Sequence, residues 1–174
     1  MSKGIKSKSL WRRCNVVAAC GTVLVAVAAF SLSPHAALAT PASGFSRAEL
    51  STGQLPAVDA KADKTEKWDL LLKTKDRSDV GLDRLTIIAG GNSGWHTHAG
   101  ITLVTVTVGE ISWIDGVACS RRAYRVGESF VEAANRLHLV RNLTNSTAEF
   151  TAVQLRPQGT RGRLDAAAPS NCTL

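Results

Sequence analysis

The chain has 174 residues, 21 of them basic and 14 acidic, so its formal net charge at pH 7 is +7. This length suits one domain with short additions. A positive charge can indicate a nucleic-acid partner, but five of the basic residues lie among the first 39, where there is no acidic residue. The other 16 basic residues face 14 acidic ones and leave a net charge of +2. Because phosphate binding needs a basic surface, we expect no nucleic-acid partner.

The first 39 residues have the order of parts found in a secretory signal. A positive segment comes first, and its basic residues are Lys3, Lys6, Lys8, Arg12 and Arg13. An apolar run over residues 16–30 follows, and residues 37–39, Ala-Leu-Ala, place small side chains where a signal peptidase reads them. The alternative is a retained membrane anchor, but a span takes about 20 apolar residues and this run is shorter. We predict cleavage after Ala39, no stable membrane anchor, and a secreted, periplasmic or cell-envelope protein.

The four cysteines divide at the same point of the chain. Cys14 and Cys20 lie in the predicted leader, so Cys119 and Cys172 are the pair that the mature chain keeps. An even pair of cysteines in an exported protein predicts a disulfide. The alternative is two unrelated free thiols, which tend to oxidise outside the cytosol. A bond between them would tie the C-terminal segment to the middle of the domain.

The mature chain begins with a segment that has little apolar periodicity. Residues 40–64 are rich in Ala, Ser, Pro and Gly, and we predict a flexible N-terminal arm with one short helical turn around residues 46–50. Residues 65–174 are predicted to form the domain. About eight short apolar or β-branched runs, separated by turn signals, occupy residues 68–73, 84–89, 101–108, 110–114, 123–126, 129–132, 137–141 and 150–155. Short strands at this spacing predict an all-β sandwich or barrel.

The run over residues 101–108 alternates most regularly, which is typical of a strand with two different faces. One face is predicted to carry Thr102, Val104, Val106 and Val108. His96 and His98 share the parity of that set, so an extended backbone would point both imidazoles to the interior. The opposite face, with Ile101 and Leu103, is also half apolar. It allows contact with a second sheet or with a partner subunit in a homodimer.

Three of the four histidines are candidates for holding a metal ion. His96-Thr97-His98 is a His-x-His pair, and an extended strand can present two such imidazoles to one ion. His138 lies 40 residues later between apolar residues, where a lone histidine is by default an ordinary core or surface group. The fourth, His35, lies in the predicted leader.

The spacing around these histidines resembles the two sequence motifs of the cupin family. The first motif matches at Gly90, His96, His98, Thr102 and Gly109, with Thr102 where the family usually has Glu. The second matches at Gly127, Ala133, Asn135, His138 and Asn142, with Ala133 in place of Pro and Asn135 in place of Gly. The resemblance covers residues 68–157 and is to small single-domain cupins of the cupin-2 type.

This resemblance implies a single antiparallel jelly-roll β-barrel behind the N-terminal arm, with one divalent transition metal inside. His96, His98 and His138 would be the ligands, and the ion could be Fe, Mn, Ni, Cu or Zn. Without a carboxylate at Thr102, the site is expected to stay open at one position and to carry one more positive charge than the usual cupin site, which favours anionic ligands. Glu110 and Glu132 are the nearest acidic residues, and both are expected to face solvent.

The implied function is a metal-dependent oxygenase or isomerase that acts on a small anionic or enolic molecule. The alternative is a non-catalytic module of the cell envelope that binds metal or a small ligand. No histidine remains as a free general base. We also expect Ala133 and Asn135 to alter the turn before His138, and Asn142 to anchor a turn through its amide.

Overall fold

A computed structural model describes residues 38–172, and the residues of the leader up to position 37 lie outside the described part. The strands are β1 (Ser43–Leu55), β2 (Asp59–Lys61), β3 (Leu71–Lys73), β4 (Ser78–Asn92), β5 (His96–Thr97), β6 (Ile101–Val108), β7 (Glu110–Asp115), β8 (Arg121–Arg125), β9 (Ser129–Glu132), β10 (His138–Arg141), β11 (Ala148–Pro157) and β12 (Leu164–Asp165). Within residues 38–172 there is no helix. A helix long and apolar enough to cross a membrane is accordingly not found in this part of the chain.

Ten of the strands form one antiparallel barrel around β4, and β2 and β3 pair with each other in a separate two-stranded sheet. On one side β4 pairs with β11, which pairs with β6, which in turn pairs with β9. β10 pairs with the end of β4, with β5 and with β7. β8 pairs with the other edge of β7. Neighbouring strands are mostly far apart in sequence, as in a jelly roll. The predicted all-β jelly-roll barrel is therefore confirmed.

The N-terminal segment differs from its prediction. Residues Ser43–Leu55 are a strand that pairs with β4 over almost its whole length, so the helical turn expected around residues 46–50 is wrong, and this part of the arm is not a free linker. Most side chains of β1 are exposed, which explains why its sequence lacks apolar periodicity. Its conformation comes from hydrogen bonds to the open edge of β4 and not from local propensity.

The predicted alternation of β6 is confirmed over most of the strand. Thr102, Val104 and Val106 are buried, whereas Ile101 and Leu103 are exposed on the outer face. Val108 does not follow the prediction, because it lies at the last position of β6, beside the Gly109 turn, and is exposed. The homodimer that the outer face would allow stays a prediction.

The buried apolar residues form two clusters. The larger contains Ile87, Val104, Val106, Ile111, Tyr124, Val140, Ala148, Phe150 and Ala152. The smaller contains Trp95, Ile114, Leu139 and Cys172. The structure contains the predicted disulfide between Cys119 and Cys172, which ties the C-terminal segment to the loop after β7.

Candidate metal centre

The three predicted ligands meet inside the barrel. His96 on β5 is the direct cross-strand partner of His138 on β10, and His98 follows β5 with the same inward parity as His96. One potential ligand atom from each residue lies within 4.8 Å of the others. All three side chains are buried, and His138 has no exposed surface. Residues 40 positions apart in sequence thus form one cluster.

A backbone carbonyl holds the same nitrogen of each imidazole. The Nδ1 atom lies 2.9 Å from the Gly94 oxygen in His96, 2.6 Å from the Gly162 oxygen in His98, and 2.8 Å from the Arg136 oxygen in His138. A carbonyl oxygen only accepts hydrogen bonds, so each Nδ1 carries the hydrogen and donates it. In a neutral ring this leaves the lone pair on Nε2, the arrangement found in metal-ligating histidines whose other nitrogen donates to a carbonyl.

His96 is held in its neutral form. Burial lowers its pKa to about 2, and the positive charge of the nearby Arg163 guanidinium acts in the same direction. A neutral imidazole is the form that binds a metal ion. His96 therefore offers its Nε2 lone pair throughout the physiological pH range.

Glu132 corrects the predicted composition of the site. We expected it to face solvent, but only 3% of its surface is exposed and its carboxylate reaches the histidines. Oε2 lies 3.0 Å from Nε2 of His98, and Oε1 lies 3.1 Å from Nε2 of His138. The expectation that Glu132 faces solvent is therefore wrong, and a carboxylate lies beside the histidines although Thr102 supplies none. Glu110 is elsewhere, at the surface, where it accepts a hydrogen bond from Arg125.

The Glu132 carboxylate is ionised despite its burial. Burial by itself would raise its pKa, but the imidazoles of His138 and His98 facing it hold the pKa well below the usual range of a glutamate. The sequence carried one signal that could have located this residue. β9 alternates, with Phe130 and Glu132 turned inward and Ser129 and Val131 turned outward.

The residues present suit a metal ion. The Nε2 atom of His138 is completely buried and has no hydrogen-bond partner among the described residues, although a carboxylate oxygen lies beside it. Buried polar atoms without partners are rare, and the binding of an ion is one accepted cause. Imidazole nitrogen and carboxylate oxygen are ligands that divalent transition metals accept.

The turn before His138 accommodates Asn135, one of the two departures from the motif. Asn135, which stands where the family has Gly, has a φ of 58° in the left-handed region. Asn enters that region more readily than most other residues with a side chain. Its backbone N–H donates to the carbonyl of His98 at 2.8 Å and so connects the two motifs. We expected the exchange to alter this turn, but the left-handed conformation that suits Gly is present.

Asn142 closes the second motif as predicted. Its amide nitrogen donates to the carbonyls of Ile87 and Ser146, at 2.9 and 2.7 Å. Its amide oxygen accepts from the N–H of Thr144 at 3.0 Å. The side chain is completely buried, so it anchors the turn after β10 to the end of β4.

A cavity of about 110 Å³ adjoins the cluster. His96, His98, Thr102 and Glu132 form its polar wall, and β1 contributes Phe45. Three arginines also line it, and each is oriented by a carboxylate: Arg47 by Asp83, Arg156 by Asp79 and Arg163 by Asp165. The cavity is therefore small, partly apolar and rich in positive groups.

Comparisons with known proteins gave matches among solved structures. No family model and no curated protein matches the chain. Peruvianin-I, a cysteine peptidase from Thevetia peruviana latex, is 21% identical with a TM-score of 0.44, and the match covers 51% of this chain and 56% of that one. This chain thus spans little more than half the length of that protein.

Two further structures are named as cupins. A cupin-like protein of Thermotoga maritima is 13% identical with a TM-score of 0.47, and the match covers 53% of this chain and 68% of that one. The Cupin_2 domain of an XRE family transcriptional regulator from Enterobacter cloacae is 15% identical with a TM-score of 0.42, and the match covers 65% of this chain and 96% of that one.

The conclusion about the fold rests on the strand order of this chain and on the contact between its two histidine motifs. The first motif supplies His96 and His98, the second supplies His138, and the barrel brings all three to one interior point. This chain folds as an antiparallel jelly-roll barrel, and its two histidine motifs meet inside that barrel.

Proposed function

We propose that this chain binds one divalent transition metal through His96, His98 and His138 and offers it to a small anionic or enolic molecule. The observation that carries the proposal is the shared orientation of the three imidazoles. Each gives its Nδ1 hydrogen to a backbone carbonyl and keeps Nε2 for the centre of the cluster. A bound divalent ion supplies a Lewis acid that polarises an oxygen of the ligand.

The lining of the cavity supports an anionic ligand of few atoms. Arg47, Arg156 and Arg163 contribute guanidinium groups, which suit carboxylate and enolate oxygens. A cavity of about 110 Å³ is well below the range of roughly 300–1,000 Å³ that holds a drug-sized molecule. Within this proposal the protein is an oxygenase or an isomerase of such a molecule.

A non-catalytic module of the cell envelope is the second candidate function. Among the residues that line the cavity, Glu132 is the single carboxylic acid, and its oxygens already lie against His98 and His138. A general base needs to reach the proton it removes, and this carboxylate is engaged within the cluster. That observation favours binding of metal or ligand over chemistry that requires a strong protein base.

Export to an oxidising compartment is part of the proposal. The disulfide between Cys119 and Cys172 supports it, because such bonds are rare in the cytosol. The predicted leader supports it from the sequence. Expression of the full chain in a bacterial host, followed by N-terminal sequencing of the exported protein, is expected to show Thr40 as the first residue. Recovery of the intact chain in the membrane fraction would contradict this part.

Metal analysis of the purified mature protein tests the central claim. We expect about one equivalent of divalent transition metal in protein prepared without chelator, and loss of that metal in His96→Ala. Thr97→Ala is the matched control, since Thr97 lies between the two histidines on the opposite face of the strand. Absence of metal from the wild type, after dialysis against each candidate ion, would overturn the proposal.

Turnover separates the two candidate functions. The metal-loaded protein is assayed for oxygen consumption and for isomerisation with a panel of enolic, phenolic and small carboxylate compounds. Turnover that is lost in His96→Ala and kept in Thr97→Ala supports the enzyme. Stoichiometric metal without turnover on the whole panel favours the binding module.

A further inference from the structure

We propose that Glu132 is the fourth protein ligand of the metal centre, supplied by β9 in place of the carboxylate that the family motif puts at the position of Thr102. This inference rests on the proposed metal site and assigns one of its ligands. It concerns a residue outside the positions that the two motifs assign to metal binding.

Strand register explains how β9 can supply this carboxylate. Thr102 on β6 and Glu132 on β9 are direct partners across the two antiparallel strands. Directly opposite residues have Cβ atoms about 5 Å apart and point to the same side of a sheet. Both side chains are buried, with 1% and 3% of their surface exposed. A carboxylate from either strand can therefore reach the same region of the interior.

The contacts of Glu132 are those of a ligand. Its two oxygens lie 3.0 and 3.1 Å from the Nε2 atoms of His98 and His138, the ring nitrogens that the backbone carbonyls do not contact. The carboxylate oxygens and these nitrogens therefore converge on one buried region. A divalent cation between these atoms satisfies all of them together, and buried charges in proteins are paired or coordinate metals.

The side chain of Thr102, opposite Glu132, is a poorer candidate for the fourth ligand. Its hydroxyl oxygen is buried and has no hydrogen-bond partner among the described residues. A neutral hydroxyl is a weak ligand for a divalent ion, whereas the carboxylate beside it is a strong one. The carboxylate that β6 lacks at Thr102 is thus present on the neighbouring strand β9.

The fourth ligand changes what the metal can do. With three imidazoles and one carboxylate the loaded site carries a net charge of +1, not the +2 of three histidines alone. A tetrahedral ion held by four protein ligands has no open position. Binding of a substrate to the metal consequently requires an ion that accepts five or six ligands, as Mn, Fe and Ni do.

Cobalt binding tests the assignment without any assay of activity. The mature protein is stripped with chelator and titrated with Co²⁺, whose affinity is measured by competition and whose visible absorption reports the ligands. Glu132→Gln is close in shape to the wild type, and we expect it to weaken Co²⁺ binding by at least roughly 10-fold and to change the spectrum. Glu110→Gln is the control and is expected to bind as the wild type does, and Thr102→Val tests the hydroxyl as the alternative ligand.

A double exchange tests the role of strand register. Thr102→Glu combined with Glu132→Thr returns the carboxylate to β6, and we expect Co²⁺ affinity to recover to within about 10-fold of the wild type. If Glu132→Gln alone fails to fold, this double variant still tests whether a carboxylate at this pair of positions binds the metal. A folded double variant that binds no better than Glu132→Gln would contradict the register argument.

The outcomes distinguish this inference from the proposed function. If the wild type binds Co²⁺ and a folded Glu132→Gln binds with the same affinity and spectrum, Glu132 is a structural partner of the histidines and the inference is wrong, while the metal site stands. If Thr102→Val loses affinity and Glu132→Gln does not, the hydroxyl is the ligand and the inference is again wrong. If the wild type binds no metal, both proposals fail.

Discussion

Two neighbouring layers of side chains inside the barrel have opposite character. β9, β6 and β11 run side by side, and their inward residues align across the strands. The polar layer consists of Glu132, Thr102 and Gln154, and the apolar layer consists of Phe130, Val104 and Ala152. Along each strand the two layers are two residues apart, about 7 Å. The same three strands therefore provide the packed core and one wall of the site.

The difference between the layers separates stability from function. The apolar layer, continued by Val106 and Phe150, removes apolar surface from water and so stabilises the fold. The polar layer buries a carboxylate and a hydroxyl, which costs free energy unless each has a partner. Buried polar groups that break the pattern of a core are expected at functional sites. Substitutions in the apolar layer should accordingly change the free energy of unfolding, whereas substitutions in the polar layer should change metal binding.

The largest expected effect on stability is in the apolar layers. Phe150→Ala removes a ring of which 4% is exposed, and we expect it to lower the free energy of unfolding by roughly 3–5 kcal/mol because it leaves a cavity. Urea denaturation followed by circular dichroism measures this. The folded fraction should keep one equivalent of metal. Loss of metal from folded Phe150→Ala would show that the layers are not independent.

The next largest expected effect on stability comes from the disulfide, which lies outside both layers. Cys119→Ser opens a disulfide whose cysteines are 53 residues apart, and we expect a loss of roughly 2–4 kcal/mol of unfolding free energy. Pairing it with Cys172→Ser avoids leaving an unpaired thiol. Metal stoichiometry should again be unchanged in the folded protein. A double variant as stable as the wild type would contradict a structural role for this bond.

Metal addition should stabilise the protein through the polar layer and the histidines. At a free Co²⁺ concentration 100 times the Kd, the free energy of unfolding should rise by about 2.7 kcal/mol, because the folded state binds the ion and the unfolded state does not. Denaturation with and without Co²⁺ measures the rise, which should be absent in His96→Ala. An equal rise in His96→Ala would indicate that the ion binds elsewhere.

The smallest effect should have the opposite sign from the substitutions above. Thr102→Val extends the apolar layer by one position and removes a buried hydroxyl that has no partner among the described residues. We expect the metal-free protein to gain about 1 kcal/mol of unfolding free energy. Thermal and urea unfolding of the stripped protein check this. A clear loss of stability would mean that the hydroxyl is satisfied in solution and that the polar layer is better paired than its contacts indicate.

Part of this architecture could be predicted because it depends on local periodicity. The alternation along residues 101–106 and the shared parity of His96 and His98 follow from the period of two in a strand. The bounds of β6 and β9 match their predictions for the same reason. β1 and β5 were missed because one is largely exposed and the other has two residues, so neither has a period to detect.

The sequence by itself determined that Thr102, Val104 and Val106 face inward on β6, that Cys119 and Cys172 can pair, and that the two histidine motifs belong together. Only the tertiary structure decided that Glu132 lies opposite Thr102 and completes the cluster. The physical reason is that side-chain parity is a property of one strand, whereas register is a property of two. Hydrogen bonding between β6 and β9 selects the register, and a shift of one residue would turn Glu132 away from the histidines.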